Sequence, residues 1–237
     1  MTLATGEGAG LVPTVAPAVW AHRGARDREP ENTVAAFARA VSLGADGVEL
    51  DVRRLADGAL AVHHDTRLPD GTPLAGLGEA DLPDHVPLLG TALAACATLV
   101  VNVELKVERR EPVAPLVDAV VAALAAWGGH AIVSSFLPRA VDAFRAAAPE
   151  VPTAQLTLVP VKPRSRMAAG VARRGHAAWH PHHASLGPAT IAAAHAFGVA
   201  VHTWTVNDPG RMRELAAWGV DAIVTDDVPL ALAVLRA

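Results

Sequence analysis

Tyrosine is absent from this 237-residue chain, cysteine occurs once, and aromatic residues make up only 4%. A lone cysteine excludes an internal disulfide, so the fold rests on apolar burial. Cys96 lies in the apolar helical stretch 93–97, which reads as a buried thiol and not a nucleophile. No apolar run reaches the about eighteen residues that a transmembrane helix needs. The net charge of −4 gives no global attraction to nucleic acid or an anionic membrane, so any phosphate binding must be local. No P-loop, no G-x-G-x-x-G fingerprint and no G-x-S-x-G elbow occurs, which leaves nucleotide-binding motifs and a serine hydrolase unsupported. Residues 1–17 lack a basic segment followed by an apolar core, so they read as a flexible tail and not a secretory signal. The expectation is a cytoplasmic protein with one domain over 18–237.

What is present is apolar bulk in a regular order. Apolar residues reach 51% against 19% charged, enough for one large core. Short apolar runs at 18–21, 47–52, 60–63, 98–105, 131–136, 153–158, 177–180, 199–206 and 221–225 alternate with Ala-rich helical patterns. In the first helix, Val34, Phe37, Ala38 and Val41 share a face, with Asn32 or Thr33 as N-cap and Gly44 as stop. Helical patterns also cover 113–127, 139–148, 189–197, 210–218 and 230–235. Repeated βα units imply parallel strands with right-handed crossovers. Asp57-Gly58 is a tight-turn signal, too short for a crossover, so run 60–63 returns antiparallel against run 47–52. Removing that hairpin arm leaves eight parallel strands, the number of a (β/α)8 TIM barrel. A turn centred on Asp57-Gly58 sets position 51 opposite 64 and His64 beside Asp51; a bulge would substitute His63. Residues 66–90 form a long irregular connection, a short loop insertion after the arm that suits a lid or a substrate contact.

Barrel chemistry sits at the C-terminal ends of strands, where this chain places its polar residues. Glu49 and Asp51 share one strand face, and two adjacent carboxylates repel unless a cation separates them. Glu104 ends the next parallel strand. Three oxygen ligands suit one divalent cation of the Mg²⁺ or Ca²⁺ type better than zinc. The simpler alternative pairs Glu49 with Arg23 and Glu104 with Lys106. His22 and His64 could serve as general acid and base, since imidazole titrates near neutral pH. Arg23 and Lys106 could hold phosphate oxygens, and Trp204 could wall a small polyol or simply fill the barrel. His180, His182 and His183 read as a polar loop after a strand, from which one histidine could reach the mouth, and not as a zinc site. An amidohydrolase-like barrel would need a histidine where Trp20 stands.

The motifs His22-Arg23-Gly24, Pro30-Glu31-Asn32-Thr33, Glu49-Leu50-Asp51, His64-Asp65, Glu104-Leu105-Lys106, Ser135-Phe136, Trp204-Thr205-Val206-Asn207 and Gly219-Val220-Asp221 through Thr225-Asp226 occur in one order. In that order and over that span the chain resembles the glycerophosphodiester phosphodiesterase family. The resemblance implies a barrel hydrolase that converts small glycerophosphodiesters to sn-glycerol 3-phosphate and an alcohol. It implies Glu49, Asp51 and Glu104 as ligands of the cation, His22 and His64 as the catalytic pair, Arg23 and Lys106 near the phosphate, and Trp204 near the glycerol. Two rivals share the scaffold. One is a lysophospholipase D-type or other phospholipid phosphodiesterase, with Leu68, Leu74, Leu77, Leu82, Val86, Leu88 and Leu89 forming a lipid groove. The other is a non-catalytic barrel that binds a phosphorylated ligand.

Overall fold

The computed structural model describes residues 16–96, 98–158 and 164–236. The expected tail over 1–17 lies outside the described residues except for Ala16 and Pro17. Eight parallel strands close a barrel: β1 (Ala18–His22), β2 (Gly47–Arg54), β4 (Val100–Leu105), β5 (Ala131–Ser135), β6 (Thr153–Thr157), β7 (Ala178–Pro181), β8 (Ala200–Thr203) and β9 (Ala222–Thr225). They neighbour one another in that order, and β9 pairs back onto β1. The short β3 (Leu60–Val62) lies antiparallel on the far end of β2. Helices α1 (Val34–Leu43), α2 (Leu89–Cys96), α3 (Ala114–Trp127), α4 (Pro138–Ala147), α5 (Arg164–Arg173), α6 (Pro188–Ala196), α7 (Pro209–Ala217) and α8 (Val228–Leu235) complete the βα units. The fold is the expected (β/α)8 barrel with a hairpin arm. Sequence periodicity did not mark α5, and it caught α2 only as its final residues. Arg164–Arg173 opens with two arginines flanking a serine, which hides the apolar face carried by Ala168 and Val171.

Strand alternation divides the core in two. Val48, Leu50 and Val52 point outward into the layer shared with the helices, while Glu49 and Asp51 point inward. The barrel interior below the mouth holds Trp20, Ile132, Ala154, Ala178, Ala222 and Val224. Small residues on several strands leave space that Trp20 occupies. Gly47 is required for this, because a Cβ there would lie 2.7 Å from the Trp20 indole nitrogen. Fully buried side chains such as Phe37, Leu50 and Phe144 contribute about 1.5–3 kcal/mol each relative to exposure. Cys96 is buried as expected; its thiol donates to the Ala92 carbonyl at 3.1 Å, and burial pushes its pKa up to about 12.

One local expectation narrows and another shifts. The α1 N-cap is Thr33, whose Oγ1 accepts from the Ala36 N–H at 3.2 Å, with Gly44 closing the helix at φ 74°. The hairpin register sets Val52 opposite Val62, so His63 stands across from Asp51 and its N–H donates to the Asp51 carbonyl at 2.9 Å. The loop after the arm also differs from a groove. Leu68, Leu74 and Val86 pack with Leu55 and Ala61 in a satellite core, with Leu77 and Leu82 against it. Leu89 belongs to the main core. These residues face inward because a connection of this length needs its own apolar contacts to stay ordered.

Candidate active site

The parallel register brings the acids together. His22 pairs with Glu49, Glu49 with Asn102, and Asp51 with Glu104, all on the inner face at the C-terminal rim. One ligand atom from each of Glu49, Asp51 and Glu104 lies within 4.8 Å of the other two. Among the described residues no other group of three acids, histidines or cysteines meets at that distance. All three are buried, and Glu49 Oε1 has no hydrogen-bond partner. Burying carboxylates this close without compensation is costly. Burial, with Asp51 and Glu104 beside it, drives the Glu49 pKa well upward. Burial pushes Glu104 up to about 7 against the pull of Lys106. Burial works the same way on Asp51, but Lys106 and Arg23 outweigh it and hold that carboxyl below the usual range. A hard divalent cation fits the oxygen-only donor set and the orphaned Glu49 oxygen.

The cations are anchored more specifically than simple pairing requires. Lys106 Nζ lies 2.6 Å from Glu104 and 3.0 Å from Asp51. Glu49 does not pair with the Arg23 guanidinium; its Oε2 accepts the Arg23 backbone N–H at 3.0 Å. The guanidinium instead reaches Glu31 at 2.9 Å and Asp51 at 3.2 Å. This arrangement needs Arg23 at φ 58° followed by Gly24 at φ 90°, an unusual pair of left-handed residues. A Cβ on Gly24 would sit 2.5 Å from the Ala36 Cβ, so the chain turns where only glycine fits. Asn32, also left-handed at φ 56°, donates to Asp51 at 2.8 Å. The sequence offered it as a helix cap; the structure uses it to hold a carboxylate.

His22 Nδ1 lies 2.7 Å from Asp226 Oδ1. A carboxylate accepts only, so Nδ1 carries the hydrogen and Nε2 is the nitrogen left for chemistry. Asp226 is itself held by Asn207 Nδ2 at 2.8 Å and Arg26 Nη1 at 2.9 Å. Burial raises its pKa, but the hydrogen bonds from His22 and Asn207 outweigh that and bring it down to about 2. His64 Nδ1 lies 2.7 Å from Asp65, and Arg53 clamps the His64 carbonyl with two donors. Burial lowers the His64 pKa while nearby Asp51 opposes the shift. His64, not the register partner His63, lines the cavity, because β3 ends at Val62 and the His63 ring turns to the Asp65 carbonyl.

His22, Arg23, Glu49, His64, Glu104, Lys106 and Trp204 all line one cavity of about 260 Å³. Asn102 and His180 share it, from inward positions on β4 and β7; Asn102 was not singled out from sequence, and His180 is the histidine of its cluster that reaches the mouth, from the strand and not from the loop after it. His180 is buried and bonded to His202 at 2.9 Å, and burial drives its pKa well down. Trp204 Nε1 donates to the His180 carbonyl at 2.9 Å, and its ring meets Phe136 edge-on at 5.4 Å. His182 packs edge-on against Trp204, and neither His182 nor His183 belongs to the acid cluster. Among the described residues no helix is long and apolar enough to cross a membrane.

Comparison with known proteins is consistent along the chain. The model of the Glycerophosphoryl diester phosphodiesterase family matches residues 22–90 and 86–230. A Mycobacterium tuberculosis protein named Probable glycerophosphodiester phosphodiesterase 1 is 33% identical over 81% of this chain and 82% of its own. A Bacillus altitudinis glycerophosphodiester phosphodiesterase is 29% identical over 88% of this chain and 94% of its own. The crystal structure of a glycerophosphodiester phosphodiesterase from Agrobacterium tumefaciens superposes with a TM-score of 0.78 at 26% identity, covering 93% of this chain and 100% of that one. An Oleispira antarctica phosphodiesterase in complex with the product sn-glycerol-3-phosphate has the same fold, with a TM-score of 0.87 at 23% identity over 94% of this chain and 98% of that one.

Proposed function

This chain belongs to the glycerophosphoryl diester phosphodiesterase family and is a phosphoric diester hydrolase, and from that premise we propose that it cleaves small glycerophosphodiesters into sn-glycerol 3-phosphate and an alcohol, using a divalent cation and two histidines. The observation that carries this reading is the convergence of three buried carboxylates, Glu49, Asp51 and Glu104, of which Glu49 and Glu104 line one cavity with His22 and His64. A bound divalent cation would supply Lewis-acid neutralisation of phosphate oxygens.

The chain's own residues do the rest. Arg23 and Lys106 donate to phosphate oxygens and stabilise charge that grows on the phosphoryl group. His22 Nε2 exchanges a proton with the oxygen that attacks or departs, while Asp226 fixes the ring's orientation and stabilises its cationic form. His64, oriented by Asp65, handles the other proton. The attacking oxygen belongs to water, or to a glycerol hydroxyl that expels the alcohol and forms a cyclic phosphate, which water then opens to sn-glycerol 3-phosphate. Trp204 and Phe136 form the apolar wall against which glycerol carbons pack. The substrate is a small molecule. The net charge gives no field for nucleic acid.

The test is release of sn-glycerol 3-phosphate from glycerophosphocholine, with chelator and then with Mg²⁺ or Ca²⁺ added back. Activity should vanish with chelator and return with one of the ions. Full turnover in chelator would overturn the metal assignment. Hydrolysis of lysophosphatidylcholine in preference to glycerophosphocholine would favour the lysophospholipase D-type alternative, although the loop leucines offered for a lipid groove are mostly buried in cores of their own.

A further inference from the structure

The barrel mouth has two unlike sides. On one, the cavity wall is apolar, formed by Phe136, Leu156, Leu158 and Trp204. On the other, across Lys106, a second cavity of about 340 Å³ opens beside Arg53, Arg54, Thr66, Arg67 and Glu111. Lys106 lines both, so the two spaces adjoin. The basic side exists because β2 runs on past Val52, its last residue paired with β4, and carries Arg53 and Arg54 beyond the rim. The hairpin then returns the chain so that Thr66 and Arg67 face them.

Not every cation there is available. Arg53 is committed to the His64 carbonyl and to Glu108 at 3.5 Å. Lys106 is held by Asp51 and Glu104, and its remaining donor goes to the reacting phosphate. Arg54 donates only a 3.5 Å bond to the Leu55 carbonyl, and Arg67 donates to the Gly71 carbonyl at 2.7 Å. Among the described residues neither forms an ion pair within 4.0 Å. Asp57 lies near Arg54 but accepts the backbone N–H groups of Glu79 and Ala59. Glu111 is the one acid on the wall besides Glu108, and its carboxylate accepts the Glu108 N–H. Two arginines are therefore left without a carboxylate partner, beside a cavity that adjoins the buried carboxylates across Lys106.

We propose that this second cavity is a subsite for a phosphate group carried by the leaving alcohol. Diesters whose alcohol bears a further phosphate are then preferred over those bearing a quaternary ammonium. The inference rests on the hydrolytic reading above. With the reacting phosphate at the carboxylates and glycerol against Trp204, the alcohol departs past Lys106 toward Arg54 and Arg67. A planar guanidinium can grip a phosphate through paired donors. A choline group would meet like charge there.

The experiment compares four diesters by one readout, release of sn-glycerol 3-phosphate: glycerophosphocholine, glycerophosphoglycerol, glycerophosphoglycerol carrying a terminal phosphate monoester, and bis(glycerophospho)glycerol. The last two separate a monoester from a diester as the recognised group. The expected result is a kcat/KM about tenfold higher for a phosphate-bearing alcohol than for glycerophosphoglycerol, the order of gain that two exposed charge contacts supply. The gain should shrink in high salt. The double variant Arg54→Ala/Arg67→Ala should remove it and leave glycerophosphoglycerol turnover within about twofold. Arg67→Glu, on an exposed loop, should reverse the preference without disturbing Arg54. Faster turnover of glycerophosphocholine, or equal slowing of neutral and anionic diesters in the variants, would overturn the subsite while leaving the hydrolytic reading intact. Absence of turnover for all four with either cation would overturn both.

Discussion

Replacing Asp226 with Asn removes one negative charge from behind His22 and keeps the local shape. In the native arrangement Oδ1 accepts from His22 at 2.7 Å and Arg26 at 2.9 Å, and Oδ2 accepts from Asn207 at 2.8 Å. Every neighbour of the carboxylate is a donor. An amide offers one oxygen only, so its NH₂ must face Asn207 in one orientation or His22 and Arg26 in the other. Either orientation loses at least one charge-assisted hydrogen bond, worth about 1.5–3 kcal/mol. The loss falls on the step in which the ring gains a proton, so kcat should drop by about 10- to 150-fold. Asp226 stands behind the histidine and not against the substrate, so KM should stay within about twofold. Steady-state release of sn-glycerol 3-phosphate, with circular dichroism to confirm the fold, reads both parameters. A kcat within a factor of about two of the native enzyme, or a loss confined to KM, would refute the positioning role. Asp226→Ala should be worse, because Arg26 and His22 would then share no acceptor.

Further outcomes test the acid cluster and the turn that carries Arg23. In chelator, Glu104 binds more protons folded than unfolded between its ordinary pKa of 4.5 and about 7, so its contribution to stability falls as pH rises through that window. His64 and His180, whose pKa values burial depresses, push stability the other way. The readout is therefore the Tm difference between the native protein and Glu104→Gln in chelator. It should move against the native protein from pH 5 to 8 and be recovered at pH 8 by Mg²⁺ or Ca²⁺. A difference that moves in favour of the native protein as pH rises without cation would contradict it. Gly24→Ala should cost at least about 2 kcal/mol in a urea melt, since a Cβ at φ 90° would strike Ala36. An unchanged midpoint would show that the turn relaxes freely.

Much of this was legible in the chain. Alternating apolar runs and helical patterns indicated parallel βα units, and the eight strands left once the hairpin arm was set aside pointed to a closed barrel. The spacing of Glu49 and Asp51 put two acids on one face, since strand geometry has a strict period of two. Some particulars were not legible. The helix α5 has too short an apolar face, and the hairpin register slipped by one residue from the simplest count. His64 still reached the cavity because the strand ended at Val62 and freed the chain to turn.

Local pattern, then, determined which residues sit on strand ends and which face of a strand they share. Only the closed barrel decided the partners. Asp226 came to His22 across 204 positions, and Arg23 turned from Glu49 to Glu31 and Asp51. Pairings of that kind depend on strand stagger and on two left-handed residues after β1, quantities that no periodicity along the chain encodes.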